Sequence, residues 1–573
     1  MFSRLLQYAL GCVLLLLLLP TVQAADVPVT PGADPASRNL NRDQQSRLLD
    51  EQARRLEALQ QLPGDSDAVT ASPVPESNQC FPIDAVHLDG MTLLDLETRR
   101  QLLLPIIDHC VALDDLNELL RHITQAYVDR GYITSRAYLP PQDLGGGQLR
   151  VVIAEGRIES IEGQEGSPSA RELQMSAPTE AGEHLNLRAL EQMIDQLNRL
   201  PSRQSTLQML PGDEIGGSRV QVETQAQKPW RMTLSRSNDG DESTGEQQWG
   251  IGLDIDSPLG LADQLVTRFG EDASGNHEHR SGNRYLAYSL PYGWWTFSYS
   301  YSKSDYRSRA EANGFFFRLD GASERHQLQA ERLLWRDSVS KTSASMGLSR
   351  ISTRNYIDHS RIDVSSQQLS ELALGINHGR RLGSALINID AGWQKGVTLM
   401  GAQHDQDTTS GAPHAQYDKT TLTLSYLQPF ELHDQHFRFL SLANAQHSDD
   451  VLYSPVRLSL GGASSVRGFK NQTLSGDSGA YWRNQVSWLQ PLEGPLAQPL
   501  FNALDLTLAY DQGVIQGSRY TDGLSGCMTG WAAEIGLSGR HLAVHAGFAH
   551  SLERPRAFPE RETPVYLSAD LYF

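Results

Sequence analysis

From Lys228 to the C-terminus, apolar and polar residues alternate position by position. Residues 295–302 read WTFSYSYS. Trp295, Phe297, Tyr299 and Tyr301 share one parity, and Thr296, Ser298, Ser300 and Ser302 share the other. Successive side chains on a strand point to opposite faces, so this strand has an aromatic face and a hydroxyl face. In a soluble sandwich the aromatic row would be core. In a membrane barrel it would meet lipid, and the hydroxyls would line a wet lumen. The alternation recurs in Trp249–Ile255, Ala385–Trp393, Leu504–Tyr510 and Leu542–Phe548. Residues 228–573 number 346. A barrel hairpin of two strands, a tight turn and a longer loop takes roughly 40–45 residues, which predicts about eight hairpins and about sixteen strands. Tight connections marked by Pro and Gly (SPLG 257–260, LPYG 290–293, QPLEGP 490–495) alternate with long polar ones such as 396–418. The chain closes on PVYLSADLYF, with Val565, Leu567, Ala569, Leu571 and Phe573 on one face. A sandwich does not need an apolar strand terminus as its last residue. A closed membrane barrel uses one to pair with its first strand. The pattern therefore selects the barrel, with Ser298, Ser300 and Ser302 facing its lumen.

Before residue 228 the period is helical. Arg38 to Leu62 has Leu48, Leu49, Ala53, Leu56 and Leu59 near helical spacing, stopped by Pro63-Gly64. Its apolar stripe is thin and its other faces carry Arg, Asp, Glu and Gln. Such a helix is a solvated spacer or lies in a polar channel, and the pattern alone favours the spacer. Residues 64–79 read as a linker. A compact unit follows in the order β-α-α-β-β: a strand IDAVHLDG (83–90), a helix from Leu96 to Ile107, a second helix, and strands 134–139 and 148–156. The second helix shows Leu116, Leu119, Leu120, Ile123 and Tyr127 on one face, with Asp114 as N-cap and Gly131 as stop. A weaker copy comes next: strand 158–163, a helix capped by Asn186 carrying Leu190, Met193, Ile194 and Leu197, then a strand pair. Two small modules in series precede the barrel.

Composition changes this picture in three ways. The formal net charge is −19 (49 Lys+Arg, 68 Asp+Glu), which argues against a nucleic-acid partner. The first residues have a secretory-signal layout: Arg4, an apolar run ending at Pro20, and small residues at Val22-Gln23-Ala24. The chain is therefore exported, and Cys12 leaves with the signal. The other cysteines are Cys80, Cys110 and Cys527. In an oxidising compartment Cys80 and Cys110 are expected to form a bridge, with Cys527 a free thiol on a strand. No CxxC suggests a metal. Neither a P-loop, a GxSxG nor an HExxH is present, and His433 and His436 sit in a polar turn-like stretch, so no catalysis and no cofactor are expected.

Two further patterns meet in the barrel. Arg467 lies in GGASSVRGFKNQ, on a loop between strands. Exposing Val466 and Phe469 would be unfavourable, but a loop folded into the lumen could bury both. Asp511 shares parity with Asp505 and Thr507, so it points inward, opposite Leu508 and Tyr510. A bidentate pair between Arg467 and Asp511 is then available. Breaking a well-buried pair costs roughly 3–5 kcal/mol. In a wet lumen the figure falls towards about 1 kcal/mol or less.

The stretch GYITSRAYLPPQDLGGGQLRVVIAEGRIESI (131–161), the VRGF at 466–469, the LAYDQG at 508–513 and terminal Phe573 together resemble the TpsB transporters of two-partner secretion, in the Omp85 superfamily. The resemblance covers nearly the whole mature chain. It implies a transmembrane antiparallel β-barrel of about sixteen strands (228–573), preceded by POTRA domains at 80–156 and 157–227. Ahead of them it implies a signal peptide (1–24), an N-terminal segment (25–62) whose helix 38–62 plugs the lumen, and a linker (63–79). It implies a lock between Arg467 and Asp511, a loop motif of Val466, Gly468 and Phe469, a strand motif with Tyr510 and Gly513, and Phe573 as the barrel's C-terminal signal. The implied location is the outer membrane of a Gram-negative bacterium, with the POTRA domains in the periplasm. The implied function is export of one large unfolded exoprotein (a TpsA-type haemolysin, adhesin or contact-dependent inhibition toxin) without nucleotide hydrolysis. Implied partners are that exoprotein, outer-membrane lipid and, during biogenesis, the barrel assembly machinery. The rival within the superfamily is an assembly factor that inserts other barrels; two modules and an N-terminal helix favour secretion.

Overall fold

A computed structural model describes residues 35–64, 80–165, 167–273, 275, 279–312, 315–405, 411–492, 500–517 and 525–573. The expected signal peptide and almost all of the expected linker lie outside these residues. Helix α1, Pro35–Gln60, starts three residues before the predicted helix and ends two residues early. Proline fits a first helical turn, because its missing N–H would have no partner there. Pro63 disfavours helical geometry at Leu62, and Gly64 turns the chain with φ +87°.

The first small domain pairs Ala85–Asp89 in parallel with Gln148–Ala154, which also pairs with Arg136–Tyr138. The single strand expected at 83–90 breaks at Asp84. Both Asp84 and Ala85 donate to the Gly147 carbonyl there, at 2.7 and 3.2 Å. Cys80–Ile83 turns instead to His109–Ala112, a strand that the sequence pattern did not reveal. Helix α2, Leu96–Leu103, is shorter than expected. Helix α3, Leu113–Asp129, is capped by Ala112 rather than Asp114. Asp114 sits in its first turn, and the Asp115 carboxylate accepts the Ala112 N–H at 2.8 Å. The core joins Leu116, Leu119, Ile123 and Tyr127 to Leu149, Val151 and Ile153.

The second domain repeats the plan with strands Arg157–Gly163, Arg203–Pro211 and Gly217–Ala226, the last in the middle. Helix α4, Ala170–Ser176, was not foreseen; seven residues are too few to show a period, but Ser169 and Glu172 cap it reciprocally. Helix α5, Leu187–Asn198, buries Leu190, Met193 and Leu197 against Val220 and Val222.

Among the described residues, sixteen strands from Trp230–Ser237 to Val565–Tyr572 form a closed antiparallel barrel. The last strand pairs with the first from Ser568↔Ser237 to Tyr572↔Thr233, and the Phe573 N–H donates to the Met232 carbonyl at 2.9 Å. Strand parity settles which solvent each face meets. On Trp295–Ala312, Phe297 is 44 % exposed on the outside, whereas Ser302, Ser304 and Ser308 are buried towards the lumen. No described helix is long and apolar enough to cross a membrane. The crossing is made by strands that pair with a neighbour on each side around a closed ring.

Candidate functional site

Helix α1 lies inside the barrel, so the spacer reading fails. Its polar faces meet polar walls. Gln52 donates to Asp390 at 2.7 Å and accepts from Asn388 at 2.9 Å and from Ser425 at 2.7 Å. Arg55 reaches Glu331 at 3.3 Å, and Asn41 donates to the Ser454 carbonyl at 3.2 Å. The thin apolar stripe is used too. Leu40 packs with Ile351, Leu369, Tyr417 and Leu452, and Leu56, Leu59 and Leu62 with Leu386. At the end facing the small domains, Arg381 donates to the Leu62 carbonyl at 2.7 Å. At the far end, Arg38 pairs with Asp241 at 3.4 Å. A polar helix with a narrow apolar stripe suits a channel whose inner wall has the same mixture.

The loop between strands Gln435–His447 and Gly479–Pro491 folds back into the lumen. Gly461 and Gly462, with φ of +114° and +88°, reverse the chain, and Ser465 bonds both backbone groups of Gly461. This turn delivers VRGF to the inner wall. Val466 and Phe469 are fully buried with Leu460, Leu474, Tyr481 and Met528, and Leu49 of α1 packs on the same cluster. Loop and helix therefore share one interface.

Arg467 and Asp511 meet as a bidentate pair, Nε to Oδ2 at 2.7 Å and Nη2 to Oδ1 at 2.8 Å. The Arg467 N–H adds a third bond to Oδ2 at 3.1 Å. Both side chains are essentially excluded from solvent, at 3 % and 0 % exposure. Nη1 of Arg467 also reaches Gln485 at 3.1 Å and Glu534 at 3.2 Å, and the Tyr566 hydroxyl donates to its carbonyl at 3.0 Å. Gly468 allows a backbone contact: an added Cβ would lie 2.8 Å from the His550 carbonyl oxygen. Gly513 leaves room for Leu460, which a Cβ would approach to 2.8 Å. Tyr510 faces outward, 45 % exposed and paired across Trp531, so it does not touch the loop.

Three contributors carry no local signal. Gly530, at a register shift in its strand, is the other half of the Gly468 contact. Glu562, on the last far-end loop, accepts the N–H groups of Lys470, Asn471 and Gln472 at 2.7, 3.0 and 2.7 Å. Glu534 lies on the inner wall like many other carboxylates. Outside the barrel, Cys80 and Cys110 form a disulfide with a Cα–Cα distance of 5.4 Å. Cys527 lies on a barrel strand and is not in a disulfide.

The second small domain is clamped to the near end of the barrel. On α5, Gln196 donates to Thr296 at 3.1 Å, Glu191 pairs with Arg336 at 3.2 Å and Asp195 with Lys341 at 2.6 Å. Glu172 joins Arg203 to Ser257 of the first barrel turn. Burial would raise its pKa, but these donors and the Ser169 N–H outweigh that and hold it at about 2.

Comparison with known proteins gives a consistent result. Residues 216–537 match the family described as haemolysin secretion/activation protein ShlB/FhaC/HecB. Residues 81–156 match the ShlB-type POTRA domain and 157–211 a POTRA domain. The outer membrane transporter CdiB of Dickeya dadantii is 33 % identical over 510 residues, covering 89 % of this chain and 90 % of that protein. The hemolysin transporter protein HpmB of Proteus mirabilis is 33 % identical over 428 residues, 74 % and 75 % of the two chains. The solved structure of CdiB from Escherichia coli superposes with a TM-score of 0.86 at 30 % identity, covering 94 % of this chain and 99 % of that one.

Proposed function

Because the chain belongs to the ShlB/FhaC/HecB haemolysin secretion/activation family, we propose that it captures one large unfolded exoprotein in the periplasm and passes it through the barrel lumen to the cell surface. The family consists of transporters rather than enzymes, and the chain is an outer-membrane protein with periplasmic POTRA domains. One observation carries the proposal: the lumen is filled by a helix and a loop, and the helix is held by polar side chains along most of its length as well as by a narrow row of leucines. Polar contacts of that kind can be exchanged for water one at a time, so the main cost of releasing α1 is the exposure of its single row of leucines and of the wall residues they cover. The loop pinned by Arg467 and Asp511 then lines the open path. Exposed strand edges on the two POTRA domains offer the extended cargo a place to add as a strand. No nucleotide step is needed if folding outside the cell makes passage one-way. The cargo belongs to the haemolysin, adhesin or contact-dependent inhibition toxin class. Depleting the chain from its host is expected to remove one large exoprotein from the surface and medium while other outer-membrane barrels keep their abundance. General loss of barrels would identify an assembly factor instead.

A further inference from the structure

Four consecutive strands rise further than a bilayer requires. Arg280–Tyr292, Trp295–Ala312, Phe315–Arg336 and Ser340–Ile357 have 13, 18, 22 and 18 residues. A tilted strand crosses the hydrocarbon in about 9–11 residues. Their register shows where lipid ends. Above the lowest outward rung at the POTRA-facing turns (Tyr292, Trp295, Arg332 and Ala344), the outward positions are Leu290, Phe297, Ala330 and Met346, then Tyr288, Tyr299, Leu328 and Leu348. The next rung, Leu286, Tyr301, His326 and Arg350, is mixed. Above it the same outward face becomes charged. The change falls about ten residues up each strand, which is the length a tilted strand needs to cross the hydrocarbon.

The charge is unbalanced in an unusual way for a chain of net charge −19. Arg284 stands directly opposite Lys303, Arg280 opposite Arg307, and Arg309 opposite Arg318. Like charges facing each other across a strand pair are destabilising. Acids compensate some of them: Glu324 binds Lys303 at 2.8 Å, and Asp320 binds Arg307 at 2.8 Å and Arg318 at 2.6 Å. Arg284 and Arg350 are left without a hydrogen bond or ion pair among the described residues, and Arg354 has only the longer-range attraction of Glu324. Arg284 and Arg354 are exposed, and the Nε of Arg350 is buried with no partner. Beside Arg350, below Arg354 and reaching up to the rung of Arg284 through Glu324, a shallow hollow on the lipid-facing side is lined by Leu286, Tyr299, Tyr301, Glu324 and His326.

We propose that this face binds the phosphorylated headgroup of an outer-leaflet glycolipid, with Arg284, Arg350 and Arg354 on its phosphates and its acyl chains along the aromatic rungs below. A guanidinium matches a phosphate bidentately, and a phosphate beside these cations relieves the repulsion that the acids leave uncompensated. The inference rests on the outer-membrane location and is independent of cargo export.

The test uses the full chain, purified in mild detergent and read by native mass spectrometry with purified lipid A as probe. Wild-type protein is expected to retain lipid A, and lipid A stripped of its phosphates is expected to bind far more weakly. The triple variant R284Q/R350Q/R354Q is expected to lose affinity by roughly a hundredfold, near fivefold per surface cation. Its folding is checked by the heat-induced shift of the barrel on gels. The wild-type comparison of the two lipids stands even if the variant fails to fold. Equal retention of both lipids, equal affinity of a folded variant, or displacement of lipid A by an equal concentration of inorganic phosphate would overturn the proposal.

Discussion

Arg467 and Asp511 form a pair whose value lies in its burial. Two charges at 3 % and 0 % exposure cannot fall back on water when one is removed. Either single substitution, Arg467→Ala or Asp511→Asn, is expected to destabilise the loop's docking by roughly 3–5 kcal/mol. The lower end applies, because Arg483 lies across from Asp511 and Glu534 remains beside Arg467. The double variant should cost less than the two singles added, since neither charge is then stranded. Protease accessibility of residues 461–472 reads the docking, export reads the function, and the barrel itself should remain folded. Normal export by both singles would remove the lock. Glu172 supports a pH prediction at the junction of POTRA 2 and barrel. Its pKa in the folded state, about 2, lies below the ordinary 4.5. Its contribution to the junction is therefore complete above about 4.5 and is lost as pH falls through about 2. Cross-linking of α5 to the first barrel turns should weaken over that window, and Glu172→Gln should flatten the response.

At the scale of elements, period and composition made the barrel strands legible. Inside and outside differ at every step, so Phe297, Leu508 and Asp511 could be assigned by parity. The helices of the two POTRA domains showed through their apolar faces. Short elements did not, because four residues at His109–Ala112 or seven in α4 cannot establish a period. The site was half legible. Arg467, Gly468 and Asp511 stand in recognisable runs, but Gly530 and Glu562 act through contacts tens of residues away in sequence. The place of α1 was ambiguous because a solvated spacer and a helix in a wet channel present the same polar faces to the eye. Two element-level outcomes follow. Gly468→Ala should loosen the loop much as the Arg467 variant does, since its Cβ has only 2.8 Å to the His550 carbonyl oxygen. Cys80→Ser should destabilise POTRA 1 by about 2–4 kcal/mol, because the bridge closes a 30-residue span, while the barrel's melting is unchanged. Differential scanning calorimetry of the full chain can separate the two.

The whole molecule is a greasy cylinder with a wet interior, filled by parts of its own chain. Sixteen strands leave a lumen wide enough for a helix plus a folded loop, and the sixteenth closes on the first through a short pairing that Phe573 completes. Transport through such a body requires its occupants to move while the ring stays shut. Gln52 and Ser425, 2.7 Å apart at their bonding atoms, offer a way to hold α1 in place. The decisive experiment places cysteines at both positions in a Cys527→Ser background, joins them with a short bis-maleimide in proteoliposomes, and measures export of the cognate exoprotein. Export should stop in the joined double variant and continue in either single-cysteine variant treated the same way. Undiminished export with α1 tethered to the wall would contradict a path through the lumen that the helix must vacate.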